Sequence, residues 1–193
     1  MRTEATSILL PENAGDVLLP LARTAIAREF GKNHRAVEDA AWLRERGACF
    51  ITLTCEKKLR GCIGTLSAHR TLLEDVQANA VAAAFHDPRF KPLAADEFVA
   101  VAVEVSVLSA LAPMTFADEQ DALAQLRADI DGVVFEYGHH SSTFLPQVWE
   151  NLREPTEFMA HLKYKAGLPP DFWHHEVKLS RYTVAKWRET GNG

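Results

Sequence analysis

The sequence ACFITLTCEKKLRGCIGTL, residues 48–66, contains two runs of strand-forming residues separated by a short charged segment. Residues 48–55 are rich in β-branched and apolar side chains, which favour an extended strand. The three residues at 56–58 are predicted to turn the chain, so that residues 59–66 pair back as a second strand. The pattern therefore predicts a β-hairpin, which makes an antiparallel sheet the first expectation for the fold.

Outside the hairpin, helical and strand patterns alternate irregularly along the chain. Apolar side chains at helical spacing predict helices over residues 14–30, 71–85, 118–128, 146–152 and 156–166. Alternation and turn residues predict strands over residues 131–138, 177–184 and 97–111, the last with a buried valine face. Because short turns join some of the strands, we expect an α+β fold with a mostly antiparallel sheet and flanking helices, rather than a doubly wound parallel sheet.

Proline, glycine and polar residues mark the helix boundaries. Pro20 removes a backbone donor inside the first helical pattern, so the regular helix is predicted to begin near it. Thr156 is a candidate N-cap of the last helix, and Gly167 is a natural end for it. Residues 37–46 form either one short helix or an irregular link. In the helix over 71–85, the polar residues expected to face solvent are Glu74, Asp75, Gln77 and Asn79.

Length and charge limit the class of protein. The chain has 193 residues, so one domain with a real core is expected over residues 1–193, with two lobes as the alternative and a frayed tail at 188–193. The formal net charge of −5 disfavours a nucleic-acid-binding protein, because phosphate contacts need clustered Lys and Arg. No run approaches about 20 apolar residues, so no membrane-spanning helix is predicted.

The three cysteines are Cys49, Cys55 and Cys62, and they form no CxxC pair. A disulfide framework is therefore not predicted, and we expect a reduced, cytoplasmic protein. Cys49 and Cys55 share one face of the first strand and lack the basic neighbour that Cys62 has, so both are expected to be core or edge residues.

Cys62 is the candidate nucleophile of the hairpin. In a strand, Arg60 and Cys62 point to the same face, and a guanidinium near a thiol favours the reactive thiolate. Gly61 and Gly64 carry no side chains, so that a ligand or another segment of the chain can approach the backbone closely. The alternative is a strand bulge with glycines for packing and a small buried cysteine.

Two further charged residues are candidates for a site. Glu104 lies opposite the valine face of the long strand. It is either a surface residue or a base or orienting group in a cleft that Arg60 and Cys62 also reach. Arg89, in the corner AFHDPRFKPL at 84–93, either pairs with Asp87 or binds an anion.

Two histidine pairs, His139–His140 and His174–His175, raise the question of a metal site. Adjacent side chains in a strand point to opposite faces, so each pair is expected to offer at most one ligand to a common ion. The sequence contains no HExxH, HxH or CxxC motif, and no metal site is predicted. It also contains no Walker A, GxGxxG or GxSxG signature, which disfavours the standard nucleotide-binding and hydrolase classes.

LRGCIG, residues 59–64, resembles the six-residue signature of the AMMECR family. Further segments resemble, in the same order, the strand before the signature, a helix exit, the long strand and a C-terminal helix pair of this family. They are GACFITLT (47–54), AFHDPRFKPL (84–93), VAVEVSVLSAL (101–111), FLPQVWEN (144–151) and EFMAHLKYKAGLPPDFW (157–173). The resemblance extends over about residues 18–182. Lys163 departs from it, because many members have a cysteine there, and a relay from Cys62 to a second thiol is therefore in doubt.

The resemblance implies a compact α+β protein with a larger and a smaller lobe, a groove between them, and the signature hairpin at or near that groove. Bacterial and archaeal members are called AmmeMemoRadiSam system protein A, and they are often encoded beside a Memo-like protein and a radical S-adenosylmethionine protein. No established reaction is implied, and any cofactor is unknown. The candidate ligand- or partner-binding residues are Leu59, Gly61, Ile63, Gly64, Thr65, Arg89 and Gln147.

Three hypotheses for the function follow. The favoured one is a binding or accessory factor whose groove holds a small molecule, a peptide or a partner from that three-gene system. The alternative is an enzyme with Cys62 as nucleophile, in which Arg60 holds an anionic substrate and Glu104, His86 or His139 moves protons. A nucleic-acid binder is disfavoured by the acidic balance and by the lack of a basic, aromatic-studded strand.

Overall fold

The computed structural model describes residues 8–32 and 34–190, and these residues form helices together with two four-stranded antiparallel sheets. The helices are α1 (Gly15–Glu29), α2 (Leu72–Phe85), α3 (Glu97–Ala100), α4 (Glu119–Ala124) and α5 (Pro155–Lys165), with 3₁₀ helices over Ala41–Arg44 and Pro146–Glu150. The strands are β1 (Ala48–Cys55), β2 (Lys58–Gly64), β3 (Val101–Leu108), β4 (Ala112–Pro113), β5 (Gly132–Tyr137), β6 (His140–Phe144), β7 (Lys178–Tyr182) and β8 (Val184–Arg188). The predicted α+β fold with mostly antiparallel pairing is confirmed.

The first of two compact units comprises Met1–Leu108 and Ala185–Gly193. Its sheet has the strand order β2-β1-β3-β8, and α1 and α2 pack against one face of it. That face is apolar because alternate side chains of the strands point towards the helices, with Ile51 and Leu53 of β1 beside Val105 and Val103 of β3. Burial of these side chains supplies the hydrophobic stabilisation of the unit.

The second unit comprises Ser109–Val184, and its sheet has the strand order β4-β7-β5-β6. Side chains of β5, β7, α5 and the second 3₁₀ helix form its core, in which Phe135 and Met159 are fully buried. Trp149 stacks on Phe158 with ring centroids 3.8 Å apart, and its indole N–H donates to the Asp131 carbonyl at 2.7 Å. The second unit therefore has an apolar core of its own.

The predicted hairpin is confirmed as β1 and β2, which pair in antiparallel register. Glu56 and Lys57 have positive φ angles of 49° and 64°, the left-handed conformation that a tight two-residue hairpin turn requires. Lys58 already pairs with Cys55, so the turn is one residue shorter than predicted.

Helix α1 begins at Gly15 and runs through Pro20, so the prediction that the regular helix begins near Pro20 is wrong. A proline inside a helix removes the hydrogen bond of its own nitrogen and strains the preceding turn. The burial of Leu18, Leu21 and Ile26 in the core of the first unit offsets this cost.

The long valine strand begins later than predicted. Glu97–Ala100 form a single helical turn, which begins where the Asp96 side chain accepts a hydrogen bond from the Glu97 N–H. Val99 lies on this turn with 79% of its surface exposed, so the prediction that it belongs to a buried valine face is wrong. The valines of β3 itself are buried: Val101, Val103, Val105 and Val107.

The strand predicted over residues 177–184 is β7, and a further strand that was not predicted, β8, follows it. β7 ends at Tyr182 and β8 begins at Val184, and the two belong to different sheets. Two residues of the predicted frayed tail are paired, because Arg188 ends β8 and the Glu189 N–H donates to the Val103 carbonyl at 3.0 Å. The last three residues of that predicted tail, 191–193, lie outside the described residues.

The remaining boundaries follow from local capping. Of the two alternatives for residues 37–46, a short helix or an irregular link, both are present: residues 37–40 are irregular and Ala41–Arg44 form a 3₁₀ helix. The N-cap of α5 is Glu154 rather than Thr156, because Pro155 takes the first helical position. Gly167, with a φ of 81°, follows α5 and ends it as predicted. Strands β4 and β6 have no counterpart in the sequence prediction.

Among the described residues, no helix has the length and apolar character that crossing a membrane requires.

Candidate functional site

Four side chains cross the first sheet on the face opposite the helices, and we call them the outer row: Cys62, Thr52, Glu104 and Lys186. Cys62 of β2 and Glu104 of β3 both lie opposite Thr52 of β1. The Thr52 hydroxyl donates to the Cys62 Sγ at 3.4 Å, and the Lys186 Nζ lies 3.6 Å from a Glu104 carboxylate oxygen. Leu53, next to Thr52 along β1, is buried against the helices, so the outer row points the other way.

The outward edge of β2 is closed by two side chains of the HDPRF corner, Asp87 and Arg89, which we call the edge clamp. The Cys62 N–H donates to the Asp87 Oδ2 at 2.9 Å, and the Arg89 guanidinium donates to the Cys62 carbonyl at 3.2 Å. The two side chains also bind each other, with N–O distances of 2.9 and 2.7 Å. The edge clamp therefore occupies the hydrogen-bonding groups that Cys62 would otherwise offer to a neighbouring strand.

The two members of the edge clamp differ in exposure. The Asp87 side chain is 2% exposed and the Arg89 side chain 53% exposed. The hydrogen bonds from Arg89 hold the pKa of the buried Asp87 carboxyl well below its usual range. The same hydrogen bonds raise the pKa of Arg89. The clamp is thus a charged pair whose cation reaches solvent beside Cys62.

Arg60 pairs with a carboxylate at a bulge of the hairpin. The register of β1 and β2 shifts by one residue here, which leaves Arg60 as the extra residue of a β-bulge. Its guanidinium donates to the two Glu97 carboxylate oxygens at 3.1 and 3.0 Å and to the Lys91 carbonyl at 3.0 Å. These hydrogen bonds lower the pKa of Glu97. The alternation that would pair Arg60 with Cys62 does not hold at a bulge, and the guanidinium that contacts Cys62 is that of Arg89.

The two glycines of the hairpin make room for other parts of this chain. A side chain at Gly61 would clash with the Ala83 carbonyl oxygen of α2, and one at Gly64 would clash with the Phe50 ring. Ile63, between them, is half-buried and packs against the core of the first unit. Close approach of another segment, one of the two roles predicted for the glycines, is therefore what the structure contains.

Asp75 of α2 joins the end of the hairpin to the helix. Its carboxylate accepts hydrogen bonds from the Cys49 N–H at 2.8 Å, the Thr65 hydroxyl at 2.6 Å, the Arg70 guanidinium at 2.7 Å and the Asn79 amide at 3.0 Å. Asp75 and Asn79 are both buried, so the prediction that they face solvent is wrong. Sequence reasoning missed this cluster. Through its hydrogen bond to Asp75, Thr65 fixes the end of the hairpin to α2.

The accessible candidates are fewer. Leu59 lies opposite Thr54, on the same face as the outer row, and 44% of its surface is exposed. Cys55 is half-buried, whereas Cys49 is fully buried, and burial raises the pKa of the Cys49 thiol well above its ordinary value. Gln147 is exposed on the second 3₁₀ helix, in the second unit.

Lys163, the residue that departs from the family pattern, is buried in the second unit. Its Nζ donates to the Glu119 carboxylate at 2.8 Å, which joins α5 to α4. A buried ammonium needs such a partner. Lys163 therefore has a structural contact, and the second thiol of a Cys62 relay is missing from this position.

The Cys62 thiol has a neutral hydrogen-bond partner in the outer row. Among the described residues of the first unit, no histidine or carboxylate side chain hydrogen-bonds to the Cys62 Sγ, whose partner is the neutral Thr52 hydroxyl. A cysteine nucleophile is normally activated by an adjacent base or cation.

The described residues also contain one group of three possible metal ligands, His174, His175 and Glu176, in the second unit.

The fold and the hairpin together define a class of α+β proteins with two antiparallel sheets. The sequence matches the AMMECR1 family model over residues 19–187. Protein MJ0810 of Methanocaldococcus jannaschii is 38% identical over 149 residues, which cover 75% of this chain and 74% of that protein. Protein SSO0193 of Saccharolobus solfataricus is 35% identical, with 94% of this chain and 84% of that protein covered.

A solved structure is also similar. The crystal structure of the uncharacterized protein PH0010 from Pyrococcus horikoshii matches this fold with a TM-score of 0.83 at 31% sequence identity, over 94% of each chain. The chain therefore belongs to the AMMECR1 family, as the resemblance of its LRGCIG segment predicted.

Proposed function

We propose that this protein is a binding or accessory factor that acts with Memo-like and radical S-adenosylmethionine proteins. The choice of partners rests on the resemblance to AmmeMemoRadiSam system protein A. The choice of a binding role rests on one observation: the charged groups around Cys62 are already paired within the chain. Arg60 binds Glu97, Arg89 binds Asp87, and Glu104 lies beside Lys186. They hold the shape of the hairpin, which leaves a preorganised surface rather than an activated thiol.

The side chains that remain accessible suggest how a partner docks. Leu59 offers an exposed apolar side chain at the edge of the first sheet, and Arg89 offers a half-exposed guanidinium on the same strand edge. An apolar anchor and a cation that both lie along β2 fit a partner surface with an apolar pocket and an acidic rim. Because the edge clamp already occupies the outward backbone groups of Cys62, docking through side chains is favoured over addition of a partner strand there.

Leu59→Glu is expected to weaken binding to the partner by at least about tenfold, because it places a carboxylate in the apolar contact. The measurement is calorimetric titration of the full chain with the purified Memo-like and radical S-adenosylmethionine proteins of the same genome. The matched control is Ile130→Glu, since Ile130 is similarly exposed at 49% and belongs to the second unit. Equal binding by wild type and Leu59→Glu, or binding by neither partner, would contradict the proposal.

The alternative function, an enzyme with Cys62 as nucleophile, is supported by the Arg89 guanidinium, which binds the Cys62 carbonyl. The two functions differ in the rate at which iodoacetamide alkylates each cysteine of the native protein. For a binding factor, Cys62 should react at a rate similar to that of the half-buried Cys55 and faster than the buried Cys49. A Cys62 rate far above that of Cys55 would favour the enzyme, because thiolates are the reactive form.

A further inference from the structure

We propose that His174, His175 and Glu176 bind one divalent transition-metal ion of the zinc type. The three residues lie in the second unit, between α5 and β7. Each offers one ligand atom, and these atoms lie within 4.8 Å of one another. The proposal is independent of the proposed partner-binding surface, which belongs to the first unit.

The arrangement depends on a local backbone that sequence reasoning did not anticipate. The expectation of one ligand per histidine pair assumed a strand, in which neighbouring side chains point apart. Residues 174–176 instead enter a turn ahead of β7. The rings of His174 and His175 therefore lie side by side, with centroids 4.2 Å apart and an angle of 34° between their planes.

His174 is held in position for this role. Its ring packs against Tyr137 of β5 at a centroid distance of 5.1 Å. The Glu176 N–H donates to its Nδ1 at 3.2 Å, so this nitrogen is the unprotonated one, and a metal ion bound there would replace that long hydrogen bond. The same Nδ1 lies 3.7 Å from a Glu176 carboxylate oxygen. A zinc ion bound tetrahedrally at its usual bond lengths would separate two such ligand atoms by about 3.4 Å. The His174–Glu176 pair is therefore already close to that spacing.

The donor set selects the class of ion. Two imidazole nitrogens and one carboxylate oxygen suit zinc and its neighbours in the first transition row, whereas magnesium and calcium prefer oxygen ligands alone. His175 and Glu176 are exposed, so their side chains can rotate to close the remaining distance. Three protein ligands leave the fourth position of a tetrahedral ion open to water or to a ligand group from another molecule.

The chain contains a matched internal control. His139 and His140, also in the second unit, lie side by side with centroids 4.2 Å apart and an interplanar angle of 33°. The His140 Nδ1 is hydrogen-bonded to the Ala166 carbonyl at 2.8 Å. Among the described residues, this pair is not part of a group with a third possible ligand. Its geometry resembles that of the first pair, but its donor set is incomplete.

The test is calorimetric titration of the full chain with zinc chloride in the presence of a non-thiol reductant. Wild type is expected to bind one equivalent that excess magnesium does not displace. His175→Ala should abolish this binding, Glu176→Gln should weaken it by about tenfold or more, and His139→Ala should leave it unchanged. Wild-type affinity in both His175→Ala and Glu176→Gln, an equal loss in His139→Ala, or no zinc binding by wild type would overturn the proposal. Thermal unfolding of each variant verifies that it is folded.

Discussion

Asp87→Asn is expected to lower the free energy of unfolding by about 3 kcal/mol, a large fraction of the stability of a typical domain. The wild-type carboxylate is buried, accepts a hydrogen bond from the Cys62 N–H and pairs with Arg89. The asparagine amide has the same shape but no charge for the Cys62 N–H and the Arg89 guanidinium to bind. It also presents its NH₂ group, a donor, to one of these two donors. Urea denaturation at pH 7 measures the change. The control is Asp39→Asn at an exposed site, where the change should stay within about 0.5 kcal/mol.

The stability difference between wild type and Asp87→Asn is also expected to depend on pH. The pKa of Asp87 is lowered in the folded state by the hydrogen bonds from Arg89. A carboxyl whose folded pKa lies below its unfolded value of about 3.9 stabilises the fold above that value, and the contribution is lost as the pH falls towards the folded pKa. The stability difference between wild type and Asp87→Asn should therefore narrow by about 1 kcal/mol between pH 7 and pH 3. A difference that stays constant over this range would show that Asp87 is not held charged by Arg89.

Gly61→Ala is expected to destabilise the first unit by about 3 kcal/mol, or to prevent its folding. The new methyl group would meet the Ala83 carbonyl oxygen, and a backbone atom in the last turn of α2 cannot rotate away as a side chain can. The helix and the hairpin must move apart, which loosens the packing of the core between them.

The control for this substitution is Gly138→Ala. Gly138 has a φ of 57° and no heavy atom within 4 Å of an added Cβ, so only the backbone cost of about 1 kcal/mol applies. Urea denaturation of the two variants separates a steric clash from a loss of glycine flexibility. If Gly61→Ala costs no more than Gly138→Ala, the close contact with α2 is not what requires glycine at position 61.

The parts of the fold that could be predicted are those with a strong local pattern. The hairpin follows from two adjacent strand-forming runs. Helix α2 follows from apolar residues at helical spacing, and the Thr71 side chain caps its N-terminus. The turn at Glu97–Ala100 interrupts an otherwise continuous strand pattern, and β8 lies almost wholly beyond the strand that was predicted over residues 177–184. The helical turn depends on one capping residue, Asp96, and the end of β7 depends on which sheet each segment joins. Neither effect changes the alternation of apolar and polar residues from which strands are predicted.

The candidate site was harder to predict, because its contacts join distant parts of the chain. The pairing of Arg89 with Asp87 is local and was one of the two predicted alternatives, but its contact with Cys62 links positions 27 residues apart. The bulge that removes Arg60 from the alternation depends on the register with β1. The buried position of Asp75 had a sequence signal, since Leu72, Asp75, Val76 and Asn79 share one face of α2, yet their polarity indicated solvent rather than a buried hydrogen-bond network.

The measurement that tests the account most directly is the affinity of the partner proteins for three forms of the full chain: wild type, Leu59→Glu and Cys62→Ser. If the surface of the hairpin is a docking element in which Cys62 serves only as a small side chain, Cys62→Ser should bind like wild type and Leu59→Glu should lose at least about tenfold in affinity. Wild-type affinity in Leu59→Glu, together with loss of binding in a folded Cys62→Ser variant, would contradict the account. That result would show that the function requires the Cys62 thiol itself.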